Sequence, residues 1–185
     1  MTASEAILAA AAAVIVFWLV GAYNRLVRLR TALVGRFANV DVQLKQRHAL
    51  LQAQHTLLSA ALASAGPRLE ALRAACFQAD AAREKARVRP GTASAIASLR
   101  AAEDILVDAR GRLPQPASAG QAAMSAAAGQ AEGPDMQSRL LDSDSALGFA
   151  RREFNESVAE YNEAVRQFPT LLAARLFGFR SASAF

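Results

Sequence analysis

A chain of 185 residues has room for one domain and an anchor. Its bias to Ala and Leu, with nine Phe, two Tyr and one Trp, favours long helices over sheet, because β-branched and aromatic residues are few. The formal net charge of +5 brings a nucleic acid or a membrane surface into view. The single cysteine, Cys76, excludes an internal disulfide and suits a reducing compartment.

The charge is not spread evenly. Between Asn24 and Arg47 six bases face one acid, Asp41; between Glu132 and Glu163 eight acids face three bases. A basic early helix and an acidic late one are expected to pack side by side.

The first element is the uncharged run Ala6 to Ala22, 17 residues, at the short end of what crosses a bilayer. Trp18 and Tyr23 stand at its end, where amphipathic rings suit the headgroup level, and Arg25, Arg28 and Arg30 follow at once. No Lys or Arg precedes the run. Residues 1–23 are thus expected to form a transmembrane anchor, N-terminus outside, with the rest of the chain in the cytoplasm. A cleaved signal peptide would need a basic leading region, which is missing. A buried helix of a soluble protein is the other reading of so short a run.

Residues 24–113 read as three bundle helices. Leu26, Leu33 and Val40 recur every seven residues, as do Phe37, Leu44, Leu51 and Leu58, with Val34 and Leu62 on the same lattice. No proline interrupts this helix before Gly66-Pro67, which reads as its stop. A second helix, Arg68 to Arg89, places Leu69, Leu72, Ala75, Cys76, Ala79, Ala82 and Ala86 on one face; Pro90-Gly91 breaks it. Thr92 can cap a third, carrying Ile96, Leu99, Ile105, Leu106 and Leu113. Residues 114–136, rich in Ala, Gly, Ser and Pro, read as a flexible linker.

The last bundle helix is expected over 137–169, capped by Ser143 or Asp144, with Leu147, Phe154, Tyr161 and Phe168 seven apart and Arg151, Val158 and Val165 as companion row. Pro169 ends it. The apolar tail 170–185 has two candidate places: over the bundle end, or on the membrane surface with Arg175 and Arg180 toward the headgroups.

In this order, YNRLVRLR (Tyr23–Arg30), NVDVQLKQRH (Asn39–His48), ARREFNESVAEYNEAVRQFP (Ala150–Pro169) and ARLFGF (Ala174–Phe179) give the chain its likeness to known proteins: it resembles the LemA family of bacterial membrane proteins. The resemblance implies an all-α fold, an N-terminal membrane helix followed by an up-and-down four-helix bundle, with no established catalytic activity and no known cofactor. The chain departs from the family pattern at Ala49–Gln54, where an acid, a proline and an asparagine are absent, and in its middle segment.

Candidate structural or interaction residues are Asn24, Asp41, Gln43, Lys45, Asn155, Tyr161, Asn162, Phe168 and Pro169. Tyr23-Asn24 and Tyr161-Asn162 echo each other, and Asn155 lies one heptad before Asn162. Such asparagines either fix register at a packing interface or line a binding groove. Asp41, His48 and His55 share a heptad position. They stand about 10.5 Å apart in succession, too far to ligate one metal, so solvated or half-buried polar roles are expected. Asp41 has Lys45 four residues on. Cys76 among alanines reads as a small core residue.

Phosphate loop, nucleophile elbow and dinucleotide fingerprint are all missing from the sequence. The reading is a non-enzymatic scaffold or adaptor at the cytoplasmic membrane. It needs no cofactor or metal. Its partners are the lipid bilayer and another protein, with a homo-oligomer open through helix pairing. Nucleic acid is not expected, since the arginine cluster abuts the anchor. The alternative is an enzyme or enzyme subunit with a polar site around Asp41, Asn155 and Asn162; a secreted helical protein is a third reading.

Overall fold

A computed structural model describes residues 3–61, 66–113 and 132–185. Among the described residues the chain is all-helical: α1 (Ala3–Ala61), α2 (Gly66–Val88), α3 (Ala93–Gly111), α4 (Glu132–Arg166) and a short α5 (Thr170–Leu176). Leu62 and most of the expected linker, 114–131, lie outside the described residues.

α1 is one unbroken helix of 59 residues, about 88 Å at 1.5 Å per residue. It meets two environments. Ile7, Leu8, Val14, Ile15, Val16 and Phe17 project on every side and are exposed, Phe17 to 78%. From Ala22 onward a single stripe is buried: Leu26, Leu33, Phe37, Val40, Leu44, Leu51 and Leu58. The heptad lattice read from the sequence is this stripe. Val34 falls off it and is exposed, because one step from Leu33 turns 100° round the helix. Among the described residues α1 is the one helix long and apolar enough to cross a membrane, and its uncharged stretch is about the first third.

Cross-helix pairs set directions. Asp41–Arg83 and His48–Asp80 run α2 antiparallel to α1. Arg36–Glu153 and Arg47–Asp144 run α4 antiparallel to α1, with the rings of Phe37 and Phe154 edge to face, 5.3 Å apart, between the two helices. The basic early helix therefore does lie along the acidic late one. Arg110–Asp144 and Arg151–Glu103 run α3 antiparallel to α4. Leucines and alanines of α2 and α3 close the core from the other side, with Cys76 buried among them.

Several boundaries differ from the sequence reading. Gly66-Pro67 opens α2 rather than only closing α1, a good place for a proline since its missing N–H falls in the first turn. Thr92 does precede α3 and its carbonyl accepts the Ile96 N–H at 3.0 Å, but its hydroxyl makes no cap bond. Ile105 is exposed and its neighbour Leu106 fills the core. α4 starts at Glu132, taking in 132–136 from the expected linker, so Ser143 and Asp144 are interior helix positions and not caps. Phe168 leaves the aromatic row: α4 ends at Arg166, the chain turns through a cis Phe168–Pro169 peptide, and the ring is 75% exposed.

α5 lays Thr170, Ala173 and Ala174 on the bundle. Gly178, at φ 72°, takes the left-handed turn that ends it, and Phe179 N–H bonds back to Ala174 O at 2.9 Å. The remaining residues run without regular structure along α4.

Candidate functional site

Arg47 and His48 lie between Leu44 and Leu51 of α1, so both side chains enter the core. Glu103 occupies the stripe of α3 between Leu99 and Leu106 and is equally buried. The three meet. Arg47 Nη1 donates to Glu103 Oε2 at 2.5 Å and its Nε to Asp144 Oδ1 at 2.7 Å. His48 places Nε2 2.8 Å from Glu103 Oε1 and Nδ1 2.8 Å from Asp80 Oδ1. Arg110 adds a second guanidinium to Asp144 at 2.9 Å. One ionic network thus ties α1 to α2, α3 and α4.

The geometry fixes the protonation. Both His48 nitrogens face carboxylate oxygens, which only accept, so both must carry hydrogen and the ring is an imidazolium. Burial opposes that charge, but the hydrogen bonds and charges of Glu103 and Asp80 outweigh it and raise the His48 pKa above 6.5. Burial likewise opposes the Glu103 carboxylate, and the His48 bond with Arg47 and Arg151 nearby holds its pKa below 4.5. Burial, aided by Asp80, pushes the Cys76 thiol up to about 11, so it is not poised as a nucleophile. Among the described residues no group of three or more His, Cys, Asp or Glu side chains is arranged to hold a metal ion.

The second constellation is a clamp on the C-terminal segment. Asn155 donates to Phe185 O and accepts from Phe185 N–H, both at 2.7 Å. Two helical turns on, Asn162 does the same with Ala182, both bonds at 2.8 Å. Tyr161 donates its hydroxyl to Arg180 O at 3.0 Å, Arg100 reaches Ala184 O at 3.0 Å, and Ser183 N–H bonds Gly91 O at 2.8 Å. Gly91 is needed there: its φ is 76°, and a Cβ would meet Ala182 Cβ at 3.0 Å. The guanidinium of Arg151 stacks on the Phe185 ring at 4.1 Å. That ring walls a cavity of about 390 Å³ lined by four arginines (Arg47, Arg100, Arg110, Arg151) and three carboxylates (Glu103, Asp104, Asp144).

The expected site residues are dispersed. Asp41 pairs with Arg83 at 2.6 Å and not with Lys45, which is exposed. Asn155 and Asn162 hold main chain instead of fixing an interhelical register; Asn162 also edges an open hollow with Ala159, Glu163, Arg166 and Gln167, and Asp41, held by Arg83, is not part of its lining. Asp41 therefore does not converge with them on a common cavity. Gln43 lines a shallow groove beside Arg139 and Asp142, and Asn24 is exposed on α1. Trp18 packs at the edge of the core, and Tyr23 meets the rings of Phe177 and Phe179, with centroids 4.8 and 5.9 Å away. His48 is a correction: 1% exposed and ion-paired on both nitrogens, it is neither solvated nor half-buried. Sequence reading passed over Arg47, Asp80, Arg83 and Glu103. The available signal was a charge on an apolar stripe, plainest at Glu103.

A sequence model of the LemA family matches residues 36–185. No curated protein and no solved structure matches the chain. The match takes in the buried stripe of α1 from Phe37, both constellations and the clamped tail, and on it the chain belongs to the LemA family.

Proposed function

We propose that this protein is a non-enzymatic scaffold or adaptor, an up-and-down four-helix bundle held at the bacterial cytoplasmic membrane by the first third of α1 and presenting its sides to a partner protein. One observation carries the reading: α1 passes without a break from a first third that is apolar and exposed all round to a remainder that buries one stripe. An all-round apolar helix is stable in hydrocarbon, where its backbone bonds are satisfied internally. Arg25, Arg28 and Arg30 mark its cytoplasmic end. The antiparallel pairs support the up-and-down order. The absence of a catalytic role is supported by the chemistry of the buried groups. Each charged side chain of the network is engaged by its neighbours, and the one thiol is held protonated.

Alkaline carbonate extraction of bacterial membranes tests the anchor. The intact chain stays in the pellet, and Val14→Lys with Phe17→Lys releases it with helicity kept; a wild-type chain in the supernatant overturns the reading. Protease added to spheroplasts tests orientation, and digestion of the bundle from outside reverses it. Crosslinking from surface positions in the membrane, read by mass spectrometry, tests the adaptor role: one reproducible partner supports it, and none across several positions refutes it.

A further inference from the structure

The bundle end nearest the anchor carries an apolar face that nothing among the described residues covers. Leu172 and Leu176 lie one turn apart on the outer side of α5 and are 53% and 68% exposed, with Phe168 exposed just before them. Phe177 follows, half exposed, its ring against Tyr23. The inner side of the same helix is spent on the bundle through Thr170, Ala173 and Ala174.

The level of this face along α1 is set by contacts. Phe37 stands against Phe154, and counting one for one along the antiparallel helices brings Arg166 level with Arg25. The chain then turns and α5 comes up against Tyr23, the residue that follows the uncharged run of α1. The apolar face therefore sits where that run ends. Around it are Arg25, Arg28, Arg30, Arg166, Arg175 and Arg180, all exposed. The acid nearest on α4 is Glu163.

We infer that α5 and the turn before it form a second membrane contact, a short interfacial helix that lays Leu172, Leu176 and Phe168 among the acyl-chain ends of an anionic leaflet, with the arginines at its headgroups. The inference rests on the proposed anchor. Its physical basis is the pairing of an apolar face with a basic rim, the composition of helices that lie in the interface plane. Continuity with the anchor selects lipid over protein as occupant: a bilayer crossed by the first third of α1 has its headgroups at Tyr23, in ring contact with Phe177. The contact would stop the bundle from swivelling about a single helix and fix its tilt.

The test uses the full chain in a Cys76→Ala background, reconstituted into vesicles of phosphatidylcholine and phosphatidylglycerol carrying a nitroxide lipid. A fluorophore is placed through Leu172→Cys, Leu176→Cys, Ile15→Cys or Phe77→Cys. Phe77 is exposed on α2, a turn beyond the level of His48, about 42 Å along the bundle from Tyr23. Several-fold stronger quenching at Leu172 and Leu176 than at Phe77 is expected, alongside strong quenching at Ile15. Quenching at Ile15 without quenching at Leu172 and Leu176 overturns the second contact and leaves the anchor standing. No quenching at Ile15 overturns the anchor itself.

Discussion

Two levels of the bundle, about three turns apart on α1, hold together by opposite means. Around Phe37 and Phe154 the core is apolar: Leu33, Phe37, Val40 and Phe154 interlock with no polar group among them. Around Arg47, His48 and Glu103 the same core is ionic. The apolar level gains free energy from area removed from water and tolerates any side chain of similar volume. The ionic level gains little net, since desolvation offsets most of the Coulomb attraction, but it punishes any partial arrangement. The first level makes the bundle stable; the second restricts which helix may stand next to which and at what height.

That contrast can be broken by rescue. Glu103→Leu takes from Arg47 and His48 their shared buried carboxylate, leaving each with one half-buried partner and an unpaired buried N–H, and should cost about 3–5 kcal/mol, read as a shift in the denaturant midpoint. Phe154→Ala should cost a similar 3–5 kcal/mol through the cavity it leaves. Adding Arg47→Met and His48→Leu to Glu103→Leu should return the stability to wild type or above. Asp80 and Asp144, about a third exposed, can then hydrate instead of being stranded. Phe154→Ala has no such companion. A triple variant as unstable as Glu103→Leu alone would show that the two levels work alike.

The ionic level should also answer to pH, and the apolar one should not. His48 has its pKa raised above 6.5 in the fold, so the stability it contributes is complete below that value and is lost as pH rises through the folded pKa. Glu103 has its pKa lowered from 4.5, so its contribution is present above 4.5 and is lost as pH falls through the folded value. The melting temperature should therefore be highest between the two, with an alkaline decline that His48→Gln flattens and Phe154→Ala leaves in place. An unchanged decline in His48→Gln would assign the titration to another group.

The apolar level was legible because a buried stripe writes its period into the sequence. Leu26, Leu33, Phe37, Val40 and Leu44 announce themselves by spacing alone. The ionic level writes no period. Its members come from four helices, and nothing in the sequence distance between Arg47 and Glu103 says that they touch. His48 was noticed but weighed as though water were its neighbour, because its two carboxylates stand 32 and 55 residues away. The asparagines were visible as an echo, and their role was not, since side-chain to main-chain clamps depend on where an irregular segment lies. Phe168 shows the converse failure: the period ran on past the point where the helix stopped.

The clamp sharpens the comparison at a smaller scale. Asn155→Ala removes two bonds to the main chain of Phe185, and Asn162→Ala two to Ala182. Each bond is worth about 0.5–1.5 kcal/mol net, so each variant should lower stability by about 1–3 kcal/mol while amide exchange at residues 182–185 rises well beyond that of the core. Faster exchange at Leu44 or Phe154 would mean that the tail supports the core instead of only lying on it.

The smallest effect comes from an ion pair of the kind the network uses, moved to the surface. Arg36 meets Glu153 at 3.1 Å, but its side chain is 50% exposed, so the guanidinium keeps most of its water. Arg36→Ala should cost roughly 0–1 kcal/mol, and less in high salt, where screening removes what Coulomb attraction remains. Arg47→Ala makes the same chemical change three turns further along nearly the same face of α1, with the side chain 6% exposed and Glu103 and His48 left facing each other. It should cost several-fold more and show little dependence on salt. Since the two substitutions remove the same guanidinium from the same helix, the difference between them measures what burial does to a charge. Equal costs would place the Arg47 pair in a wet, screened environment and remove the ionic level as a constraint on helix order.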